Sequence, residues 1–345
     1  MTPENETFRA VCRIAPSPQL LDPEEGVLLL GSCFAENIGS RMRRAMLPVD
    51  VNPTGILFNP ESIRTVIEFA LSGEKVAPQQ AGDLWFSWLL SGDFTCTDRE
   101  TFQEQADAAM ERLRTSLATV KTLIVTFGTA IVYVLAEPPF TAVANCHKQP
   151  SRLFVRDMLT PQAIAAPWHR LIERLRVLNP GLRIIFTVSP VRHLKEGQHA
   201  NTLSKSILHL AVDMLTHALE NVEYFPAYEL LIDDLRDYRF CTEDLAHPTP
   251  QAADYIFARF RETYYSEASR RLLNEAESLR RRLDHRFLHP ESAAAADFRQ
   301  ETVRLLATPP DPLPSRTSTP GFITLASTAQ AVAGSVADAV SLSGP

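Results

Sequence analysis

No stretch of about 18 consecutive apolar residues occurs anywhere in the 345-residue sequence, so no segment reads as a transmembrane helix. The first residues, Met-Thr-Pro-Glu-Asn-Glu-Thr, are acidic where a secretory signal needs a positive charge followed by an apolar run. Paired cysteine spacings are missing too. The five cysteines, Cys12, Cys33, Cys96, Cys146 and Cys241, are odd in number, scattered and without a Cys-x-x-Cys, which fits neither a disulfide framework nor a zinc ribbon. These absences predict a reducing compartment and a cytoplasmic protein with no membrane association. A basic field is absent as well: the net charge is -7 and the longest basic cluster is Arg41-Met42-Arg43-Arg44, so nucleic acid is not an expected partner. Arg280-Arg281-Arg282 reads as a solvated helix face. There is no His-x-x-x-His, paired carboxylate or cysteine cluster, and the Gly128-Thr129 turn lacks the glycines of a phosphate loop. No metal, no cofactor and no protein partner is therefore expected.

What is present is a rhythm of short apolar runs and longer amphipathic stretches, the pattern of a parallel sheet covered on both faces by helices. The predicted strands are Val27 to Leu30, Leu123 to Phe127, Ile184 to Val188 and, with a weaker pattern, Val222 to Phe225; they are rich in aliphatic or β-branched residues without alternation, as strands buried on both faces should be. Helices are predicted over Phe34 to Met46, Pro60 to Leu71, Arg99 to Thr119, Pro161 to Leu178, Thr202 to Glu220 and Pro250 to Tyr265. In the first, Phe34, Ile38, Met42 and Ala45 or Met46 share one face. Asp98, Thr160-Pro161 and Thr249-Pro250 read as helix starts, and Asn179-Pro180-Gly181 as a stop. A hairpin is expected from Ile131 to Ala136 and Thr141 to Asn145. The fold class is thus a three-layer α/β/α domain over residues 10–265 with a β-hairpin excursion. A helical extension over 266–290 follows, and then a low-complexity tail over 291–345 that composition marks as disordered.

The strongest local feature is Val27-Leu-Leu-Leu-Gly31-Ser32-Cys33-Phe34-Ala35, a buried strand, a Gly-Ser turn and at once a helix. Ser32 then sits where unpaired backbone N–H groups and the helix dipole favour negative charge, which suits a nucleophilic hydroxyl. The competing reading is a simple helix N-cap. A serine nucleophile needs a base, and Asp244-x-x-His247, in a polar loop ahead of a helix, offers one whose carboxylate can fix the imidazole tautomer. By itself that spacing is as compatible with a solvated loop pair.

Taken together, strand-Gly-Ser-helix near the start and Asp-x-x-His near the end resemble the SGNH or GDSL hydrolase superfamily. More closely, Gly31-Ser32-Cys33-Phe34-Ala35, Asn52-Pro53-Thr54-Gly55, Thr126-Phe127-Gly128-Thr129-Ala130, Asn145-Cys146-His147-Lys148 and Asp244-Leu245-Ala246-His247-Pro248 resemble the GSCFA family over roughly residues 10–265. The resemblance implies a flavodoxin-like sheet, Ser32 as nucleophile, His247 as general base, Asp244 as its orienting acid, and the Ser32 and Gly55 amides in an oxyanion hole. The superfamily pattern Gly-x-Asn-Asp departs here to Gly128-Thr129-Ala130, and Ala130 has no side-chain donor. Asn145, carried back by the hairpin, is the candidate replacement, with Asn52 as the alternative; a turn residue is the competing reading of Asn145. Asn52, His147, Lys148, Arg192 and His193 are candidate substrate-binding residues, and Cys33 is read as a buried apolar side chain rather than a nucleophile. The function this implies is cleavage of a short-acyl or acetyl ester of a small molecule or carbohydrate through an acyl-serine. An acyltransferase with the same residues and a catalytically weak ligand-binding module are the alternatives.

Overall fold

The computed structural model describes residues 10–138 and 140–307. Its centre is a five-stranded parallel sheet of β1 (Val27–Gly31), β2 (Val49–Val51), β5 (Thr122–Phe127), β8 (Arg183–Val188) and β9 (Val222–Tyr224). The spatial order is β2-β1-β5-β8-β9. Every residue of β1, β5 and β8 is buried, which is why these strands carry Leu, Ile, Val and Phe without alternation. The order doubles back between β1 and β5, whose registers pair Leu29 with Ile124 and Gly31 with Thr126. In such sheets the crevice at the carboxyl ends of the two strands flanking the reversal is where ligands bind.

The helices α1 (Cys33–Arg44), α2 (Pro60–Ser72), α3 (Arg99–Thr119), α4 (Pro161–Leu178) and α7 (Pro250–Tyr264) match the predicted spans closely, whereas α5 (Gly197–Ala218) starts ahead of the predicted Thr202. Their caps act as expected: Asp98 accepts from the Thr101 amide at 2.7 Å, Thr160 from Ala163 at 3.2 Å and Thr249 from Ala252 at 3.2 Å. Phe127 of β5, Phe186 of β8 and Trp168 of α4 meet ring to ring at 5.2–5.4 Å. Burying each such side chain contributes about 2 kcal/mol, and the indole N–H is satisfied by the Pro60 carbonyl at 3.1 Å. At the sheet edges charge replaces apolar packing. Asp50 of β2 takes both nitrogens of an Arg112 fork and the Ser116 hydroxyl, and Arg183 of β8 donates to Glu223 of β9 at 2.8 Å.

The excursion after β5 differs from its prediction. β6 (Ile131–Leu135) pairs antiparallel with β7 (Phe154–Met158), not with Thr141 to Asn145, which reaches it through one bridge, Val134 to Ala142. Two further short strands, β3 (Gln79–Ala81) and β4 (Leu84–Phe86), form a second hairpin. Near Glu229 the chain runs from a short turn, α6 (Ala227–Glu229), into a π-helical turn over Leu230–Leu235.

The chain divides into two units. The first holds, among the described residues, 10–15, Val27–Gly39 and Asp50–Phe260; the second takes Pro16–Gly26, Ser40–Val49 and the described residues from Arg261 to Ala307, so segments expected inside the 10–265 domain belong to the second unit. There, Ser17 and Leu21 donate backbone bonds to Thr263 and Tyr264. α8 (Glu267–Leu283) is followed by α9 (Ala293–Ala307), a helix where composition predicted the start of a disordered tail. Packing explains the difference. Arg282 donates to Thr302 at 3.1 Å and stacks 4.1 Å over Phe298, which also meets Phe287, so this arginine is not the solvated charge its run suggested. The rest of the predicted tail, 308–345, lies outside the described residues. Among the described residues no helix is long and apolar enough to cross a membrane.

Candidate active site

β1 ends at Gly31, with φ of 138°, a conformation open to glycine and strained for any L side chain. A Cβ there would lie 2.2 Å from the Thr126 carbonyl oxygen, so β1 and β5 can approach this closely only with glycine at the turn. Ser32 follows. Its amide donates weakly to Thr126 O at 3.4 Å, and its Oγ accepts from the Phe34 amide at 3.3 Å. Ser32 is thus both the strand-end residue and the side chain that satisfies an orphan amide of α1, so the two readings of the sequence coincide in one residue. It has no exposed surface.

The acid and the histidine sit on a tight loop closed by Thr242 N to His247 O at 2.8 Å and Thr249 N to Phe240 O at 2.8 Å. Asp244 Oδ1 accepts from the amides of Ala246 and His247 and from the Thr242 hydroxyl, at 2.9, 3.0 and 2.7 Å. Oδ2 lies 2.6 Å from His247 Nδ1. The backbone amides of His247 and Ala246, then the Thr242 hydroxyl and the His247 ring, hold this carboxyl well below the usual carboxylate range. An ionised Asp244 fixes the proton of a neutral His247 on Nδ1 and leaves Nε2 as the acceptor a general base needs. Both side chains are about half exposed, so the pair contributes little to stability and acts chiefly on orientation. Among the described residues no hydrogen bond joins His247 to Ser32.

The loop belongs to the same sheet edge as Ser32. Arg192, after β8, donates its amide to Ala246 O at 3.2 Å, and the charge of Asp244 is felt at the Cys33 thiol. Gly128, after β5, has the position of a Cβ 3.3 Å from Ser32 Cβ and 3.4 Å from His193 Nε2, so serine and imidazole flank one glycine. His193 Nε2 is buried with no partner among the described residues. Burial, then Lys205 and His247, push its pKa down to about 4, leaving the ring neutral. Its backbone amide is held by Asn201 Oδ1 at 3.0 Å. Burial pushes the Cys33 thiol up, which argues against a thiolate nucleophile.

The other predicted residues are spread along the loops bordering this edge. Asn52 (φ 45°) accepts from the Gly31 amide at 2.9 Å and donates to Glu36 at 3.3 Å, tying β1 to α1. Gly55 donates its amide to Asn52 O at 2.8 Å within the turn, and Ser91 packs against its Cα. Asn145 accepts from the His147 amide at 2.7 Å, while its Nδ2 faces Gly92, next to Ser91, and makes no hydrogen bond among the described residues. His147 stacks on Phe86 at 4.4 Å, and its ring nitrogens face Thr95 Oγ1 at 3.3 Å and Ser87 O at 2.9 Å, so the ring is engaged inside the loop. Lys148 is exposed. Ala130 is fully buried and donates its amide to Ser204 Oγ at 2.8 Å.

Sequence reasoning missed three residues of α5. Asn201, Ser204 and Lys205 form one buried face, continued by Leu208, Ala211, Val212 and Leu215. Asn201 holds His193, Ser204 holds Thr129 Oγ1 and Ala130 N, and Lys205 Nζ donates to Gly128 O and Ser189 O, both at 2.6 Å. The available signal was the run of polar residues at positions i, i+3 and i+4 continuing an apolar stripe. Burial lowers the Lys205 pKa to about 7 from the ordinary 10.5. Between those values the unfolded chain binds the extra proton, so this residue makes stability climb as pH rises through about 7. Urea midpoints should therefore increase from about pH 7 to about pH 8, below the usual thiol pKa of about 8.5, and the increase should be absent in Lys205→Met. Equal pH slopes in the two proteins would refute it.

The match to known families agrees with this geometry in extent. The model of the GSCFA family matches residues 26–260. No curated protein matches the sequence. Among solved structures the chain is similar to an acetyl xylan esterase (Est2A) from the rumen bacterium Butyrivibrio proteoclasticus, with 13% identity and a TM-score of 0.29. That match covers 70% of this chain and 65% of the esterase, under two thirds of its length, and carries no weight for activity. The family match takes in the Ser32 turn, the Asp244–His247 loop and all five strands of the central sheet, and the chain belongs to the GSCFA family.

Proposed function

We propose that the chain is a serine hydrolase that cleaves a short-acyl or acetyl ester of a small molecule or carbohydrate. The observation that carries this is the 2.6 Å Asp244–His247 pair, whose His247 Nε2 makes no hydrogen bond among the described residues, on the sheet edge where Ser32 follows the end of β1. In the reaction Ser32 Oγ bonds to the ester carbonyl carbon, its proton passes to His247 Nε2, and the carbonyl electron pair moves to oxygen. Collapse of that intermediate breaks the bond to the leaving alkoxide, which takes the proton from His247; water then repeats the sequence on the acyl-serine. The Ser32 and Gly55 amides with Asn145 are the oxyanion donors of this reading, and Arg192 and His193 border the substrate. For Gly55 to serve, its turn bond to Asn52 has to open. Five unpaired cysteines fit a reducing compartment such as the cytoplasm.

A fluorophosphonate probe tests the reading, because it bonds only to an activated serine. Labelling of the wild-type chain should map to Ser32 and vanish in His247→Ala. The full burial of Ser32 and the missing bond to His247 favour a second reading, a ligand-binding module that turns nothing over. No labelling of a folded wild-type chain, with no hydrolysis of short-chain p-nitrophenyl esters, would decide for that module.

A further inference from the structure

Lys205 is 2% exposed, and its ammonium touches no carboxylate among the described residues. Its two recorded bonds run to the carbonyls of Gly128 and Ser189, the residues that directly follow β5 and β8. A lone buried cation is expensive to keep, so a bare clasp is a poor reason for it. The same protein shows the cheaper solution elsewhere. Asn179 clasps two carbonyls, Leu117 O at 3.2 Å and Val120 O at 2.8 Å, with a neutral amide. What Lys205 adds to such a clasp is charge.

That charge lies beside the nucleophile turn. Gly128, whose carbonyl Lys205 holds, packs its Cα against Ser32 Cβ and His193 Nε2. The groups that feel it are Cys33 of α1, His193 after β8 and His209 one turn along α5. All three are neutral or uncharged thiol and imidazole side chains, so none cancels it. We propose that Lys205 is a positioning residue of the Ser32 site: it fixes the Gly128 and Ser189 carbonyls and supplies the positive charge that stabilises the oxyanion formed on the carbonyl oxygen when Ser32 Oγ attacks the ester carbonyl carbon. This assignment rests on the ester-cleaving reading above. It needs no contact between Lys205 and substrate, because a fixed charge in a dry interior acts at a distance and costs no reorganisation when the oxyanion forms.

The test compares the full wild-type chain with Lys205→Gln and Lys205→Met. Glutamine retains a donor for the carbonyl clasp and removes the charge; methionine removes both. Fluorophosphonate labelling of Ser32, kcat and KM for p-nitrophenyl acetate, and thermal unfolding are measured for each. Lys205→Gln should unfold cooperatively, with KM little changed and with kcat and the labelling rate each lowered about 100-fold or more. A folded Lys205→Gln with wild-type kcat would overturn the assignment. One measurement needs no variant: as pH rises past about 7 and Lys205 loses its proton, the wild-type labelling rate should pass a maximum and fall. A rate that holds level through alkaline pH would overturn the assignment even if both variants failed to fold. Absence of wild-type labelling at every pH would instead sink the ester-cleaving reading itself, and the role of Lys205 with it.

Discussion

Ser32→Ala should lower kcat for p-nitrophenyl acetate by about a million-fold, the scale on which a triad fails when its nucleophile is removed. The loss is large because no other group can take the place of Oγ. Cys33 is the adjacent nucleophile, but it belongs to α1 and its pKa is raised by burial, so it supplies little thiolate. The same substitution removes the acceptor for the Phe34 amide. That cap bond is worth about 1 kcal/mol, so the variant should remain folded with a slightly lower Tm. Steady-state kinetics on the folded variant, with circular dichroism as the control, measure both effects. Activity within about tenfold of wild type, roughly 1.4 kcal/mol in the barrier, would show that Ser32 is not the nucleophile.

The second large effect concerns Asp244, which acts in the proposed reaction only through His247. Asp244→Asn preserves size and keeps an Oδ1 able to accept from Thr242, Ala246 and His247, so the loop should hold its shape. The other atom becomes an NH2, which donates where Oδ2 accepted from His247 Nδ1. The imidazole then keeps its proton on Nε2, and a protonated Nε2 cannot accept the serine proton. A loss of about 10,000-fold in kcat is expected, with KM little changed. Because Asp244 is half exposed, stability should barely move. A variant with wild-type kcat would mean that His247 is not oriented by Asp244 and that the base lies elsewhere, with His193 next to be mutated.

The contrast between these two residues and Lys205 shows why part of the site was legible in the chain. Ser32, Asp244 and His247 each lie in a local pattern: a strand that stops at glycine and turns into a helix, and a carboxylate three residues before an imidazole on one loop. Such patterns need only a few neighbouring residues to be read. The strands β1, β5 and β8 were legible for a related reason, since burial on both faces forces unbroken apolar runs. β7 was missed because Phe154–Met158 has charged residues at its centre and becomes a strand only by pairing with β6. α9 was missed because an alanine-rich segment takes its helix from α8, through Arg282, Thr302 and Phe298.

The sequence by itself determined the α/β/α layering, the spans of most helices, the family and the pairing of Asp244 with His247, because periodicity, caps and short spacings are local properties of a chain. Only the tertiary structure decided that Asn201, Ser204 and Lys205 stand behind the strand ends, that His193 Nε2 faces the same glycine as Ser32, and that His147 turns into its own loop. Those facts depend on which distant backbone groups are brought within hydrogen-bonding reach: Gly128 and Lys205 are 77 positions apart in the chain and 2.6 Å apart in the fold. Burial also decides what each such side chain can be. The same lysine is a solvated charge on a helix surface and, beneath the Gly128 and Ser189 carbonyls, a cation whose pKa falls to about 7.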